Sequence, residues 1–188
     1  MRRKSRPANS HSGRGRDHRA DSIRFRRATV ADSRALARAV FEALEDYAAF
    51  GPPGWTAPSL EEIDEDGHES LADEDVYCVV AEAEGKVVGQ TTVLPATQAL
   101  HPDHEPTLGH IGNFFVTRDF WGTGLAEDLH RAALDAARER GFSEPQLFVP
   151  AGQARARRFY ERVGWRPIGN QFDDPISGFT LVEYRYRL

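Results

Sequence analysis

Residues 109–126 run from an apolar stretch, through Trp121-Gly122-Thr123-Gly124, straight into a helical pattern. Residues 109–117 have the content of a strand, while Leu125, Leu129, Ala132, Ala133, Ala136 and Ala137 recur at the three- and four-residue spacings of a helix ending before Gly141. A strand that turns so tightly into a helix confines the chain to folds in which helices pack on a sheet. Glycine permits positive φ and close backbone approach. The first helical turn leaves N–H groups unpartnered beside about half a positive charge. Such a turn accepts a phosphate or pyrophosphate, although a strand-to-helix turn can also need glycine for shape alone. It is neither a P-loop, lacking the Gly-Lys-Ser/Thr end, nor a three-glycine dinucleotide fingerprint.

The rest of the chain supplies the partners for that unit. Residues 22–27 alternate apolar and charged side chains as a half-exposed strand does, and Asp32 is the expected N-cap of an amphipathic helix over 32–48 that Gly51-Pro52-Pro53-Gly54 stops. A short acidic helix capped by Ser59 and a solvated turn follow. Residues 76–82 and 86–94 form two strands joined by a hairpin that uses Gly85. A strand over 145–149, a helix over 151–163 and strands over 165–169 and 179–188 complete the order. The pattern predicts a single α/β domain, seven strands in a sheet of mixed direction with four helices packed on both faces. The expected division is a disordered basic tail over 1–20 and one folded domain over 21–188.

Composition narrows the function. The net charge is −5, yet residues 1–20 carry +6, which leaves −11 on the remainder. That acidic body argues against a nucleic-acid binder, and the tail reads as a solvated segment whose basic side chains could touch an acidic surface. No run of eighteen apolar residues occurs and no apolar stretch follows the basic start, so neither a membrane span nor a secretory signal is expected and the cytoplasm is the expected compartment. The single cysteine, Cys78, sits in an apolar strand run, which excludes an internal disulfide and a thiolate zinc site. His101-Pro102-Asp103-His104-Glu105 has metal-binding residue types but no distant partner, and no metal is expected.

A second segment, Gln153-Ala154-Arg155-Ala156-Arg157-Arg158-Phe159-Tyr160-Glu161-Arg162-Val163-Gly164-Trp165, puts a tyrosine late on a helix that follows a strand. Together with the glycine turn it resembles the GCN5-related N-acetyltransferase superfamily. The pattern there is Arg/Gln-x-x-Gly-x-Gly/Ala, then Asn-x-x-Ala-x-x-Phe-Tyr ending in Gly-Phe. Residues 23–32 and the order of elements extend the resemblance over about nine tenths of the chain. Trp121 and Gln153 depart from it, standing where the pattern has Arg or Gln and Asn.

The resemblance implies acetyl-coenzyme A as co-substrate and transfer of its acetyl group to a primary amine, on a small molecule or a peptide, by direct attack. It implies main-chain contacts from Phe115 and Val116 to the pantetheine arm and a pyrophosphate cradle of Gly122, Thr123, Gly124, Leu125 and Ala126. Gln153 and Arg158 are further coenzyme-contact candidates, with Arg118, Arg155 and Arg157 as other cations for outer phosphates. The resemblance also implies that Tyr160 protonates the departing thiolate, an uphill transfer of about 2 kcal/mol in water, and that Trp55 and its neighbours shape the acceptor pocket.

An acceptor ammonium is neutral at pH 7 only about once in two thousand molecules, a handicap of about 4.6 kcal/mol, so a base is expected. His110 and Glu82 are the candidates, with Asn113 as a neighbour able to hold a water. The alternative is that both are ordinary strand residues and bulk water takes the proton. The competing function is an acyl-coenzyme A sensor or interaction module with the same fold and no turnover. A homodimer stays open.

Overall fold

The computed structural model describes residues 23–99, 101, 103 and 105–188, so the expected tail over 1–20 lies outside the described residues. Seven strands, β1 (Arg24–Arg27), β2 (Tyr77–Ala83), β3 (Lys86–Pro95), β4 (Leu108–Val116), β5 (Glu144–Pro150), β6 (Arg166–Asp173) and β7 (Thr180–Arg185), form one sheet in the order β1-β2-β3-β4-β5-β7-β6. Four helices accompany them: α1 (Ser33–Leu44), α2 (Leu60–Ala72), α3 (Leu125–Glu139) and α4 (Ala154–Arg162). Only β4 and β5 run parallel, because α3 returns the chain between them; every other pair is antiparallel.

Local chemistry explains most boundaries. The β2–β3 turn places Glu84 and Gly85 at φ 52° and 74°, a two-residue hairpin with the twist its strands require. Ser59 Oγ accepts from the Glu62 amide at 3.2 Å while the Glu62 carboxylate accepts from the Ser59 amide at 2.7 Å, a reciprocal cap that starts α2. At α1 the expected cap position holds but its bonding differs: Asp32 is the N-cap residue, and its side chain makes no cap hydrogen bond. The Asp32 carboxylate accepts from the Thr29 amide and from Arg26, both at 2.8 Å, so it closes a 3-10 turn and α1 begins one residue later. The expected long first helix also ends sooner, with residues 45–49 tightening into 3-10 geometry. β6 runs four residues past the expected end at Gly169, since pairing with β7 resumes beyond an irregularity between Pro167 and Gln171.

One face of the sheet carries the main core, in which Val93, Ile111, Leu129, Leu147, Val182 and Tyr184 are buried together under α3 and α4. Leu129 is wholly enclosed, and its truncation to alanine is expected to cost about 2–5 kcal/mol. On the opposite face a smaller cluster of Ala28, Leu36, Cys78 and Val80 lies at the β1–β2 end, with α1 and α2 packed on each other. That face is therefore covered toward β1, while over β5 to β7 its cover comes from loops.

Candidate functional site

Two features of β4 open the sheet. First, β4 pairs with β5 only at Leu108–Glu144, Gly109–Pro145 and His110–Gln146, so beyond His110 and Gln146 the two strands diverge into a fork. Second, a bulge shifts the β3 register: Thr91 alone stands between Gln90 and Thr92, whereas Asn113 and Phe114 stand between their partners Gly112 and Phe115. Asn113 takes φ 47° there, and the Thr91 hydroxyl donates to the Gly112 carbonyl at 3.2 Å. The extra residue turns Phe114 and Val116 onto the α3–α4 face and lets the end of β4 lean away from β5.

Hydrogen-bond alternation decides which main-chain groups face the fork. The Thr117 amide donates to Val88 at 2.9 Å, and Phe115 is paired with Gln90, so both direct their polar groups toward β3. Val116, between them, turns its N–H and C=O toward the fork. Of the two residues implied for the coenzyme arm, Val116 presents its backbone to the fork, while that of Phe115 is engaged with β3.

At the mouth of the fork stands the glycine turn. Gly122 and Gly124 have φ 75° and 93°, and a Cβ on either would meet no protein atom within 4 Å. Gly124 is the left-handed N-cap of α3. The Thr123 hydroxyl donates to the Phe120 carbonyl at 2.8 Å, which pins the turn. The amides of Gly122, Gly124 and Ala126 have no acceptor among the described residues, and that cluster of free N–H groups at a helix start fits a pyrophosphate. Trp121 supplies a donor where the family pattern has Arg or Gln: its indole N–H bonds the Val116 carbonyl at 2.7 Å. The Arg155 guanidinium stacks on the indole at 3.2 Å from the ring centroid, bringing one of the predicted cations beside the turn. Arg118 is held by Asp46 at 2.6 Å and Arg157 by the Tyr184 hydroxyl at 3.1 Å, while Arg158 is exposed on α4.

Tyr160 sits against Phe114 and Tyr184, with ring centroids 6.0 and 6.4 Å away, so it spans from the diverging end of β4 to β7 behind β5. Burial raises its pKa, and the nearby Tyr47 adds to the shift, so the phenol stays protonated. Tyr47 itself escaped the sequence reading because its helical spacing marked it as an ordinary packing residue. It follows α1, its pKa is raised by burial against an opposing hydrogen bond with Gln153, and it packs with Phe50, Trp55 and Phe179 at 4.9–6.2 Å. Gln153 thus links α4 to the α1–α2 connection. Beside that cluster a cleft of about 230 Å³ is lined by Phe50 to Pro52, Ala151, Gly152 and Gly178 to Thr180, with no charged side chain.

The two predicted bases fare differently. Glu82 lies on β2, paired with β1, and its carboxylate is held by Arg26 Nε at 2.9 Å, so the fold does not bring it to the fork. His110 stands at the last paired position of β4, where the fork begins. Burial, reinforced by the neighbouring His101, pushes its pKa down to about 4, and its buried Nδ1 has no partner. Asn113 is exposed in the bulge. Cys78 is buried with its thiol pushed up to about 12 by burial and Asp32, which removes it as a nucleophile. Among the described residues no helix is long and apolar enough to cross a membrane, and no His, Cys, Asp and Glu group is arranged for a metal.

Comparisons with known proteins show what the chain is similar to. The profile described as Acetyltransferase (GNAT) family matches residues 34–165. An N-acetyltransferase of Escherichia coli, YjgM, is 30% identical over 150 residues, covering 77% of this chain and 82% of that one. Human N-acetyltransferase 8 is 33% identical over 93 residues, half of this chain and 40% of that protein. The chain also spans 49% of the N-acetyltransferase camello of Xenopus tropicalis at 34% identity. In three dimensions it resembles a GNAT-family acetyltransferase from Staphylococcus aureus, with TM-score 0.68, 14% identity and coverage of 89% and 99% of the two chains. A ribosomal-protein-alanine N-acetyltransferase from Brucella melitensis gives TM-score 0.67 at 23% identity, covering 88% and 99%.

Proposed function

The chain belongs to the acetyltransferase (GNAT) family, and from that premise we propose that it transfers an acetyl group from acetyl-coenzyme A to a primary amine by direct attack. The observation that carries the reading is the fork between β4 and β5, with unpartnered turn amides at its mouth and a protonated tyrosine beside it. Acetyl-coenzyme A supplies an activated thioester, whose C–S bond breaks as the C–N bond forms. The chain's own residues hold, orient and protonate. Val116 offers the fork a backbone N–H, and the turn amides of Gly122, Gly124 and Ala126 receive negative charge without rearrangement. Tyr160 keeps its proton at neutral pH and is the donor for the leaving sulfur. Burial costs both phenolate and thiolate their hydration, so the gap between their acidities is not widened by desolvation alone.

The packing of the fork supports one side for the acceptor. The α3–α4 face of the fork is filled by Phe114, Phe159 and Tyr160. On the other face the His110 ring packs closely over Gly112, where a Cβ would meet Nε2 at 3.2 Å, and the aromatic cleft adjoins the end of β5. The amine approaches from that second face. Thiol release from acetyl-coenzyme A, measured with pools of aminoglycosides, polyamines, amino acids and peptides, tests the reading. Release that depends on one pool and falls in Tyr160→Phe is the expected result. Coenzyme binding without release from any pool would turn the assignment toward a sensor.

A further inference from the structure

We propose that His101, with Asp174 behind it, is the base that takes the proton of the acceptor amine. The inference rests on the acetyl-transfer reading above and goes beyond it, since His101 belongs to a segment whose sequence suggested only metal-binding residue types.

Three observations carry it. His101 Nε2 lies 3.4 Å from Asp174 Oδ1, close enough for charge attraction and short of a hydrogen bond. Asp174 is 1% exposed, and its carboxylate accepts the amides of Ile176 and Ser177 at 3.1 and 3.0 Å and the Ser177 hydroxyl. Burial alone would raise the Asp174 pKa; those donors and His101 outweigh it and keep the group anionic. A fixed carboxylate beside an imidazole orients the ring.

The second observation is position. The His101 ring packs edge-on against Phe148 of β5 at 5.3 Å and Phe172 of β6 at 4.5 Å, and His110 leans on the same Phe148 at 5.5 Å. His101 therefore lies on the acceptor face, beside the point where β4 and β5 part. The turn that carries Asp174 continues into Gly178 and Phe179, one wall of the aromatic cleft. Third, the side chain is 24% exposed, so Asp174 sits behind it while the ring reaches solvent, and the buried Nε2 has no hydrogen-bond partner among the described residues. By contrast Glu82 is consumed by Arg26, and His110 is enclosed in a site that resists charge.

In the step, the acceptor ammonium gives one proton to His101 Nδ1 and the neutral nitrogen attacks the acetyl carbon; as the C–S bond breaks, the thiolate takes the Tyr160 proton and the second proton of the attacking nitrogen restores the phenol. The imidazolium, with Nε2–H toward Asp174, afterwards releases that proton to water. Asp174 is a positioning residue. Among the described residues, other titratable or charged groups of this face include His110 on β4, Glu144 on β5, and Glu183 and Arg185 on β7, which pair with each other at 2.5 Å; Arg185 also holds Asp103 at 3.0 Å and lies 4.0 Å from Glu144.

The test is steady-state kinetics on the full chain, with the amine pool that wild type uses, for His101→Gln, His101→Ala and Asp174→Asn. Coenzyme affinity is measured by calorimetry as a control for folding. Expected are a loss of at least 30-fold in kcat for both His101 variants with coenzyme affinity within threefold of wild type, and partial rescue of His101→Ala by added imidazole. Asp174→Asn should lower kcat at least tenfold with coenzyme affinity within threefold of wild type, and Asp174→Glu should restore part of that loss. Active wild type with His101→Gln within threefold of it, or Asp174→Asn with unchanged kcat, overturns this proposal alone. Wild type inactive on every amine overturns it together with the acetyl-transfer reading.

Discussion

Trp121 donates its indole N–H to the Val116 carbonyl at 2.7 Å, tying the glycine turn to the strand that forms one side of the fork. The bond explains how the chain departs from the family pattern at this position and keeps the turn in place. Phenylalanine at 121 retains the ring beneath Arg155 and removes the donor. Losing one such bond is worth about 1 kcal/mol, so Trp121→Phe is expected to bind coenzyme A about fivefold more weakly in a calorimetric titration. Unchanged affinity would mean that the indole bond does not shape the turn.

Gly124 tests the cradle from the other side. At φ 93° an alanine is strained by about 1–2 kcal/mol, and its methyl enters the space above the turn, where no protein atom stands. Gly124→Ala should therefore lower the melting temperature modestly and weaken coenzyme binding at least tenfold. Loss of stability with intact binding would remove the turn from the coenzyme site.

Replacing Tyr160 by phenylalanine deletes one oxygen from a packed aromatic environment and leaves the ring contacts to Phe114 and Tyr184 in place. A proton donor contributes about 10²–10⁴-fold, so kcat is expected to fall by about 10² while coenzyme affinity stays within threefold. A fall in affinity with unchanged kcat would make Tyr160 a packing residue.

Acid stability should report two histidines, His130, which is buried, and His110, which is half-buried. His130 accepts the Trp165 indole N–H at 2.8 Å, and burial pushes its pKa down to about 4, as it does for His110. Both fold with depressed values, so the unfolded chain binds their protons first. Their contribution is fully present above about pH 6.5 and disappears as pH falls toward 4, by up to about 3 kcal/mol each. Denaturant titrations at pH 7, 5.5 and 4.5 should show a steep loss, and His130→Gln should flatten it while lowering stability at pH 7.

Much of this was legible in the chain. The α3 periodicity, the Glu84-Gly85 hairpin and the Ser59 cap are local patterns, and each formed where expected because a few neighbouring residues decide it. Asp32 stands at the expected N-cap of α1 but makes no cap hydrogen bond, for the opposite reason. Its carboxylate answers to Arg26, brought close by the first strand, and that partner outweighs a local preference. Glu82, a candidate base by strand position, is held by Arg26 of the adjacent strand, a partner that strand alternation does not reveal.

By itself the sequence determined the elements, their order and the chemical types at the fork, since periodicity, glycine φ and a strand–turn–helix join are properties of contiguous residues. Tertiary structure alone decided that β4 leaves β5 after His110, that Tyr47 comes beside Tyr160 and Gln153, and that His101 faces Asp174. Those relationships depend on register, on a bulge and on loops meeting across the sheet, where the free energy of packing distant segments outweighs any local signal.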